Sequence, residues 1–279
     1  LIAKNIKVKR NDLKIPTIDQ KPNINIAYCP ERVLPGNIIH ELINNDRVIG
    51  GLTEHCTNKA KSFYELFVSG SCFETNAKTA EFVKLSENSY RDVQIAFANQ
   101  LSIIASKEEI DISELIALSN KHPRVNILDP GPGVGGHCIP VDPWFLVDSY
   151  KKDADLIHLA RVVNMRKTEW VIEKIKKICT NLNSNLKIGI LGLTYKPNSD
   201  DIRESPSIMI ASKINQLNEV STFCYDPYVE KSSNISTLKL KPLEFIINDC
   251  DLVFKLVDHH QFKGLKVNKE RFYDFSRGS

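Results

Sequence analysis

The sequence predicts an α/β chain in three parts: a short α/β segment, a middle built on long helices, and a last segment of alternating strands and helices. Three observations carry this. Two uninterrupted helical patterns, over residues 77–105 and 153–182, occupy the middle. After residue 184, apolar strand runs are separated by helical ones, the pattern of a sheet covered on both faces. Before residue 76, strand and helix signals alternate over a length too short for a whole domain. The expected fold is therefore the tail of an N-terminal Rossmann-type domain over residues 1–75, a helical central domain over 76–183, and a Rossmann-like three-layer domain over 184–279.

Composition agrees with a folded chain. The 279 residues suit one large or two ordinary domains, and 42% hydrophobic with 25% charged residues is globular usage. A net charge of +3 is too small to argue for nucleic acid. No run of 18 apolar residues is present, so no membrane-spanning helix is expected. The seven cysteines are scattered without a CxxC pair, which argues against zinc or a disulfide framework and for a reducing cytoplasm. The opening Leu-Ile-Ala-Lys-Asn-Ile-Lys has neither initiator Met nor signal-peptide plan, and reads as a helix cut partway, so a fragment is expected.

Taken in order, residues 1–22 are polar and irregular after the first few. Asn23–Tyr28 alternates like a strand and stops at Pro30, which leaves Glu31 and Arg32 at its carboxyl end, the edge where open α/β sheets bind ligands. Pro35-Gly36 marks a turn, Asn37–Asn45 a short helix, Arg47–Gly51 a strand, and Asn58–Val68 a helix with Phe63, Leu66 and Phe67 on one side. Ser71–Thr75 is a further short strand. Asn76 caps the first long helix, whose apolar residues cover most of its circumference, so burial against its own domain or a partner is expected. Within it Lys84, Asn88 and Arg91 share one face, read either as a functional stripe or as a solvated one. Asp111 starts a short helix in a capping-box pattern, and His122-Pro-Arg124 follows in a loop. In the second long helix, Leu156, Leu159, Val162, Val163, Trp170, Val171, Ile175 and Ile178 form the apolar stripe. Asn183-Ser-Asn185 is a linker.

The last segment has strands at Leu186–Leu193, Val220–Tyr225, Asp251–Val257 and Phe272–Phe275, with helices near Ser207–Leu217 and Leu243–Asn248. Asp226 stands where a ribose-binding acid would, but Gly189-Ile-Leu-Gly192 does not complete a dinucleotide fingerprint, so no conventional nucleotide site is read there. Tyr195-Lys196, Arg203 and Ser276-Arg277 lie at the ligand-binding edge; Arg203 reads as a phosphate contact or as an ion pair to Asp201 or Glu204. His259 and His260 read as surface residues.

The stretch Gly131-Pro-Gly-Val-Gly-Gly-His-Cys-Ile-Pro-Val-Asp-Pro-Trp-Phe145 joins the two long helices. It sets Cys138 at the end of a glycine-rich loop, with Asp142 four residues on where a helix begins. A thiol on such a loop is either a nucleophile or a buried structural cysteine. A peptidase dyad of His137 and Cys138 fails, because adjacent residues seldom face each other as base and nucleophile must.

Five stretches in order, Cys29-Pro-Glu-Arg-Val-Leu-Pro-Gly36, Lys84-Leu-Ser-Glu-Asn88, Gly133–Asp142, Gly192-Leu-Thr-Tyr-Lys196 and Arg203-Glu-Ser-Pro206, together resemble the UDP-glucose/GDP-mannose dehydrogenase family along nearly the whole chain. Asn45–Gly51, His122-Pro-Arg124 and Asp142–Phe145 are most similar to its branch acting on UDP-N-acetyl-D-mannosamine, with UDP-N-acetylglucosamine and UDP-glucose as alternatives. The resemblance implies an N-terminal NAD domain, a dimerising centre and a C-terminal domain that grips UDP. It also implies that most of the NAD domain, with its glycine loop, is absent from this chain, so that the isolated fragment is inactive. Cys138 is implied as the nucleophile, Lys84 and Asn88 as acid/base and oxyanion groups, and Asp142 and Glu31 as helpers in proton transfer and thioester hydrolysis. Implied substrate contacts are Arg32, Val33, Lys84, Asn88, Arg91, His122, Arg124, Gly135, Tyr195, Lys196 and Arg277. Arg124 is implied to reach the neighbouring subunit's site in a homodimer or higher oligomer, and Arg203 to touch NAD. A hydroxyacid dehydrogenase using Lys84 and Asn88 alone, or a nucleotide-sugar-binding module, are the competing readings.

Overall fold

The computed structural model describes residues 2–10, 12–17, 22–33, 37–180, 182, 185–218, 220–229, 235 and 237–277. Pro35-Gly36 and most of the 183–185 linker lie outside the described residues. The chain divides into two compact units, Leu1–Glu87 and Asn88–Ser279.

In the first unit, α1 (Ile2–Lys9) precedes β1 (Ala27–Tyr28), α2 (Ile38–Asn44), β2 (Arg47–Gly51), α3 (Glu54–Tyr64), β3 (Cys72–Asn76) and the start of α4 (Ala77–Lys107). The sheet order is β1-β2-β3, with β1 antiparallel and β3 parallel to β2. The helix at Ile2–Lys9 agrees with the helical reading of the first residues, while the strand expected from Asn23 is only two residues long. The helix expected over Asn58–Val68 is displaced towards the N-terminus, because Thr53 caps it by accepting from the Cys56 N–H. Phe63 and Leu66, expected on its apolar side, are exposed.

In the second unit, the rest of α4 is followed by α5 (Ile112–Ser119), α6 (Asp142–Tyr150), α7 (Asp155–Thr180), β4 (Leu186–Leu191), α8 (Pro206–Asn215), β5 (Val220–Tyr225), β6 (Lys239–Leu240), α9 (Leu243–Asp249), β7 (Leu252–Lys255) and β8 (Phe272–Asp274). Asp111 caps α5 by accepting from the Ser113 and Glu114 N–H groups. The sheet is wholly parallel, in the order β6-β5-β4-β7-β8. That is a doubly wound arrangement whose order reverses beside its first strand, β4. Ile188 and Ile190 of β4 pack with Val171, Ile175, Ile210 and Ile214 on one face, while Leu191 packs with Ile246 and Val253 on the other. Helices therefore cover both faces, and the segments after β4, β5, β7 and β8 all emerge at one edge. Among the described residues, no helix is long and apolar enough to cross a membrane.

Of the two expectations for α4, burial against its own domain is met on one side only. The helix buries Asn88, Ser89, Asp92, Asn99 and Ser102 beside small alanines, while Tyr90, Phe97 and Ile104 are exposed. Of the stripe read on α7, Val163, Val171 and Ile175 are buried but Leu156 and Leu159 are exposed, and α7 also buries Arg161, Asn164, Lys167 and Thr168. The two helices are matched by polar groups, which a count of apolar residues does not detect.

Candidate functional site

In the first unit, Glu31 follows β1 as expected. Its carboxylate accepts from the Arg32 N–H at 2.7 Å, from the Val33 N–H at 3.1 Å and from Arg47 Nη1 at 3.2 Å. Partial burial alone would raise its pKa, but these donors outweigh it and hold the carboxyl below its usual range. Lys84 Nζ donates to the main-chain oxygen of Glu31 at 2.7 Å. Arg32 forms an ion pair with Glu87. Glu31, Arg32, Val33 and Lys84 are thus brought together. Arg47 and Glu87, which bind them, were not read from the sequence; Glu87 lies one turn after Lys84 in the same motif, a signal that was available.

In the second unit, the chain turns at Cys138 into α6. The Cys138 carbonyl accepts from the N–H of Val141 at 3.0 Å and of Asp142 at 2.8 Å. Asp142 Oδ2 in turn accepts from Asn88 Nδ2 at 2.5 Å. The amide, the acid and the cysteine's turn therefore form one hydrogen-bonded unit. Cys138 is half-buried and unpaired in a disulfide, while His137 beside it is exposed.

The glycines are demanded by close approach. A Cβ on Gly135 would lie 2.5 Å from Tyr195 Cβ and 2.7 Å from the Glu204 carbonyl oxygen. Gly133 has φ +149, and its Cβ would meet Thr168 Oγ1 at 2.3 Å. Gly131-Pro-Gly-Val-Gly-Gly136 fits the spelling of a dinucleotide fingerprint, but no strand leads into it and Gly133, Gly135 and Gly136 face protein, so it is not one. The Gly136 N–H donates to the Arg203 carbonyl at 2.9 Å. Tyr195 thereby packs against the loop, and burial first, then Asp201, raises its phenol pKa. Lys196 Nζ lies 5.9 Å from the Tyr195 ring.

Arg203 settles on Asp201, with Nη2 to Oδ2 at 2.6 Å and Nε to Oδ1 at 2.9 Å. Arg277 pairs with Asp258 at 2.7 Å, and both arginines remain largely exposed. Arg91, His122 and Arg124 are exposed too, and His122 Nδ1 accepts from the Arg124 N–H at 3.3 Å.

One reading of the C-terminal sheet edge is corrected, and the absence of a conventional nucleotide site at Asp226 has a physical reason. His259 is fully buried, not on the surface. Asp226, at the position of a ribose-binding acid, spends its carboxylate inside the protein. Its Oδ2 accepts from the N–H groups of Leu193 at 2.6 Å and Thr194 at 3.1 Å and from His259 Nε2 at 3.0 Å, and Oδ1 accepts from the Tyr228 N–H at 2.8 Å. The pair pins the loop that leads into Tyr195 and Lys196.

Comparisons with known proteins agree in all three parts of the chain. Residues 78–166 match the UDP-glucose/GDP-mannose dehydrogenase family, central domain; residues 189–276 match its UDP binding domain; and residues 2–68 match its NAD binding domain. The last match falls on the segment read as the remainder of the NAD domain, and it does not support the expectation that the main NAD-binding part is absent. The UDP-N-acetyl-D-mannosamine dehydrogenase of Yersinia pestis is 48% identical over 92% of this chain and 64% of its own length. That of Campylobacter jejuni is 45% identical over 98% of this chain and 68% of its own. The solved structure of the UDP-D-ManNAc dehydrogenase from Pyrococcus horikoshii is 34% identical with a TM-score of 0.83, covering 99% of this chain and 69% of that one. The chain thus spans about two thirds of the length of the relatives it matches.

Proposed function

The chain belongs to the UDP-glucose/GDP-mannose dehydrogenase family, and from that premise we propose that its protein oxidises C6 of UDP-N-acetyl-D-mannosamine to the carboxylate. The parts are then residues 1–75 for NAD, 76–183 for catalysis and dimer formation, and 184–279 for the UDP moiety. NAD, when bound, supplies the hydride acceptor for both oxidations. Among the described residues Arg203 suits its phosphates, being exposed and joined through its carbonyl to the loop of Cys138.

The residues divide the work as follows. Lys84 takes the hydroxyl proton of the C6 alcohol as the first hydride leaves, giving an aldehyde. The Cys138 thiolate adds to that carbon, and Lys84 and Asn88 stabilise the oxyanion of the thiohemiacetal. Loss of the second hydride leaves a thioester. Water then cleaves it to the carboxylate and frees the thiol, with Asp142 and Glu31 handling the water's protons. Arg32, Val33, Arg91, His122, Gly135, Tyr195, Lys196 and Arg277 hold the sugar diphosphate, the cations matching its charge. Arg124 completes the site of a second copy. The product is a uronic sugar nucleotide for polysaccharide synthesis, made in the cytoplasm, where the thiol stays reduced.

The observation that supports this most is the Asn88–Asp142 bond joined to the turn of Cys138. It is hard to explain for a hydroxyacid dehydrogenase, which needs no thiol. The test is turnover of the full-length protein with three UDP-sugars, following NADH. UDP-N-acetyl-D-mannosamine is expected to be preferred over UDP-N-acetylglucosamine and UDP-glucose, and Cys138→Ala is expected to abolish the four-electron reaction. Full turnover by the Cys138→Ala variant would refute the thiol route. Calorimetry with UDP-sugar on residues 1–279 is expected to show binding; none would refute the C-terminal assignment.

A further inference from the structure

We propose that Asn99 and Thr168, outside every motif above, are positioning residues that hold the Cys138 loop in its working conformation. This rests on the assignment of Cys138 just made. The glycine loop is tied to the helices at two successive residues. The Gly131 N–H donates to Asn99 Oδ1 at 2.9 Å, and Thr168 Oγ1 donates to the Pro132 carbonyl at 2.9 Å. Both side chains are buried, Asn99 on α4 and Thr168 on α7.

Asn99 is itself fixed from behind. Its Nδ2 donates to Asn164 Oδ1 at 2.9 Å, Asn164 Nδ2 donates to Asp92 Oδ1 at 2.8 Å, and Arg161 Nη1 closes the chain on the same Asp92 oxygen at 2.6 Å. The amide orientation of Asn99 is thereby decided: its nitrogen must face Asn164, so its oxygen must face Gly131. Thr168 adds contact to the hydrogen bond, since it fills the space that a Cβ on Gly133 would take. On the far side, the Gly136 N–H is held by the Arg203 carbonyl. A six-residue loop with four glycines, Gly131–Gly136, is flexible by composition, and these anchors replace the order its sequence lacks. Asp92 Oδ2 and Arg161 Nε, at the far end of this network, have no partner among the described residues, but Asn99 and Asn164, the members that set the loop's anchor, have both their amide nitrogen and their amide oxygen bonded.

Thr168→Val keeps the shape and removes the hydroxyl; Thr168→Ser keeps the hydroxyl and removes a methyl. Two readouts apply to the chain as it stands: the alkylation rate of Cys138 by iodoacetamide, resolved by peptide mass spectrometry, and hydrogen exchange of the amides from Val134 to Cys138. Losing a hydrogen bond of about 1 kcal/mol is expected to raise exchange there about five-fold in Thr168→Val and to shift the alkylation rate by a similar factor. Thr168→Ser is expected to restore both, and the rates at Cys29 and Cys72, in the first unit, are expected to stay unchanged. Unaltered Cys138 alkylation and exchange in Thr168→Val, or equal change in the Ser variant, would overturn the proposal. Should Thr168→Val fail to fold, Asn99→Ser, which removes the acceptor for Gly131, is read the same way. Neither readout needs turnover, so a loosened loop beside a dispensable Cys138 would sink the catalytic assignment while leaving the anchors standing.

Discussion

At the scale of single residues, Asp226 shows how a side chain placed like a ligand contact becomes a fastener. A carboxylate has acceptor positions enough for three backbone N–H groups and the imidazole of His259. An asparagine has one oxygen, so its NH2 group would face either the Tyr228 N–H or the three donors on Oδ2. Asp226→Asn is expected to cost roughly 2–4 kcal/mol in urea unfolding and to weaken UDP binding, because Leu193 and Thr194 lead into Tyr195. Its pH dependence follows from the same contacts. Burial raises the carboxyl pKa, but His259 and the backbone donors lower it further, to a net value below the ordinary 3.8. The stability it contributes is therefore present above pH 3.8 and lost as pH falls through the lower folded value. Wild type is expected to lose this increment on acidification and Asp226→Asn to lack it; identical acid limbs would count against the assignment.

At the scale of elements, most of the fold was legible because its signals are local. β2 and β5 fall on the residues that strand patterning predicts, and Asn76 and Asp111 mark the starts of α4 and α5 through their caps. Two-residue β6 was missed because two residues carry no periodicity. The α4–α7 contact was misread for a deeper reason. Its buried side is made of groups that count as polar in any pattern, and only their tertiary pairing shows why they are inside. The same holds for the candidate residues: Lys84, Asn88, Cys138 and Asp142 stand in sequence motifs, whereas Arg47, Asn99, Thr168 and His259 are bonded to partners distant in sequence.

Lys167 makes that contact testable. It is fully buried on α7, donates to Ser102 Oγ on α4 at 2.7 Å, and lies 4.1 Å from the Trp170 ring that Lys174 approaches from 5.2 Å. Burial, then the neighbouring Lys174 charge, lowers its pKa from 10.5 to about 7. A lowered lysine pKa means that the fold disfavours the charged form. The penalty is complete below about pH 7 and vanishes as pH rises to 10.5, so this residue makes stability climb across that interval, by at most about 5 kcal/mol. Lys167→Met, which keeps the bulk, is expected to flatten the climb and to raise stability at pH 7 by roughly 1–4 kcal/mol. Urea unfolding at pH 7, 8 and 9 reads both. An unchanged slope would mean that Lys167 keeps its proton with help from Trp170 and Ser102.

At the scale of the whole molecule, the unmatched feature is apolar surface on the second unit. Tyr90, Phe97 and Ile104 recur every seven residues along α4 and are 64%, 57% and 49% exposed. Leu156, Leu159 and Met165 of α7 and Leu118 of α5 are exposed as well. Single exposed apolar residues are ordinary, whereas a stripe of this length on one helix is the kind of surface that partner chains cover. The partner we propose is a second copy, since Arg124 is assigned to a neighbouring site and lies in the loop that follows α5. The chain is therefore expected to sediment as a dimer or larger homo-oligomer at micromolar concentration. Phe97→Glu would place a charge in the middle of the stripe and, if its cost is about 3 kcal/mol, weaken association more than a hundred-fold. Arg124→Ala tests the other half of the idea, since it is expected to leave the oligomer intact while lowering affinity for the UDP-sugar. A wild-type chain that stays monomeric across that range, or a Phe97→Glu variant that associates as well as wild type, would remove the stripe from any interface.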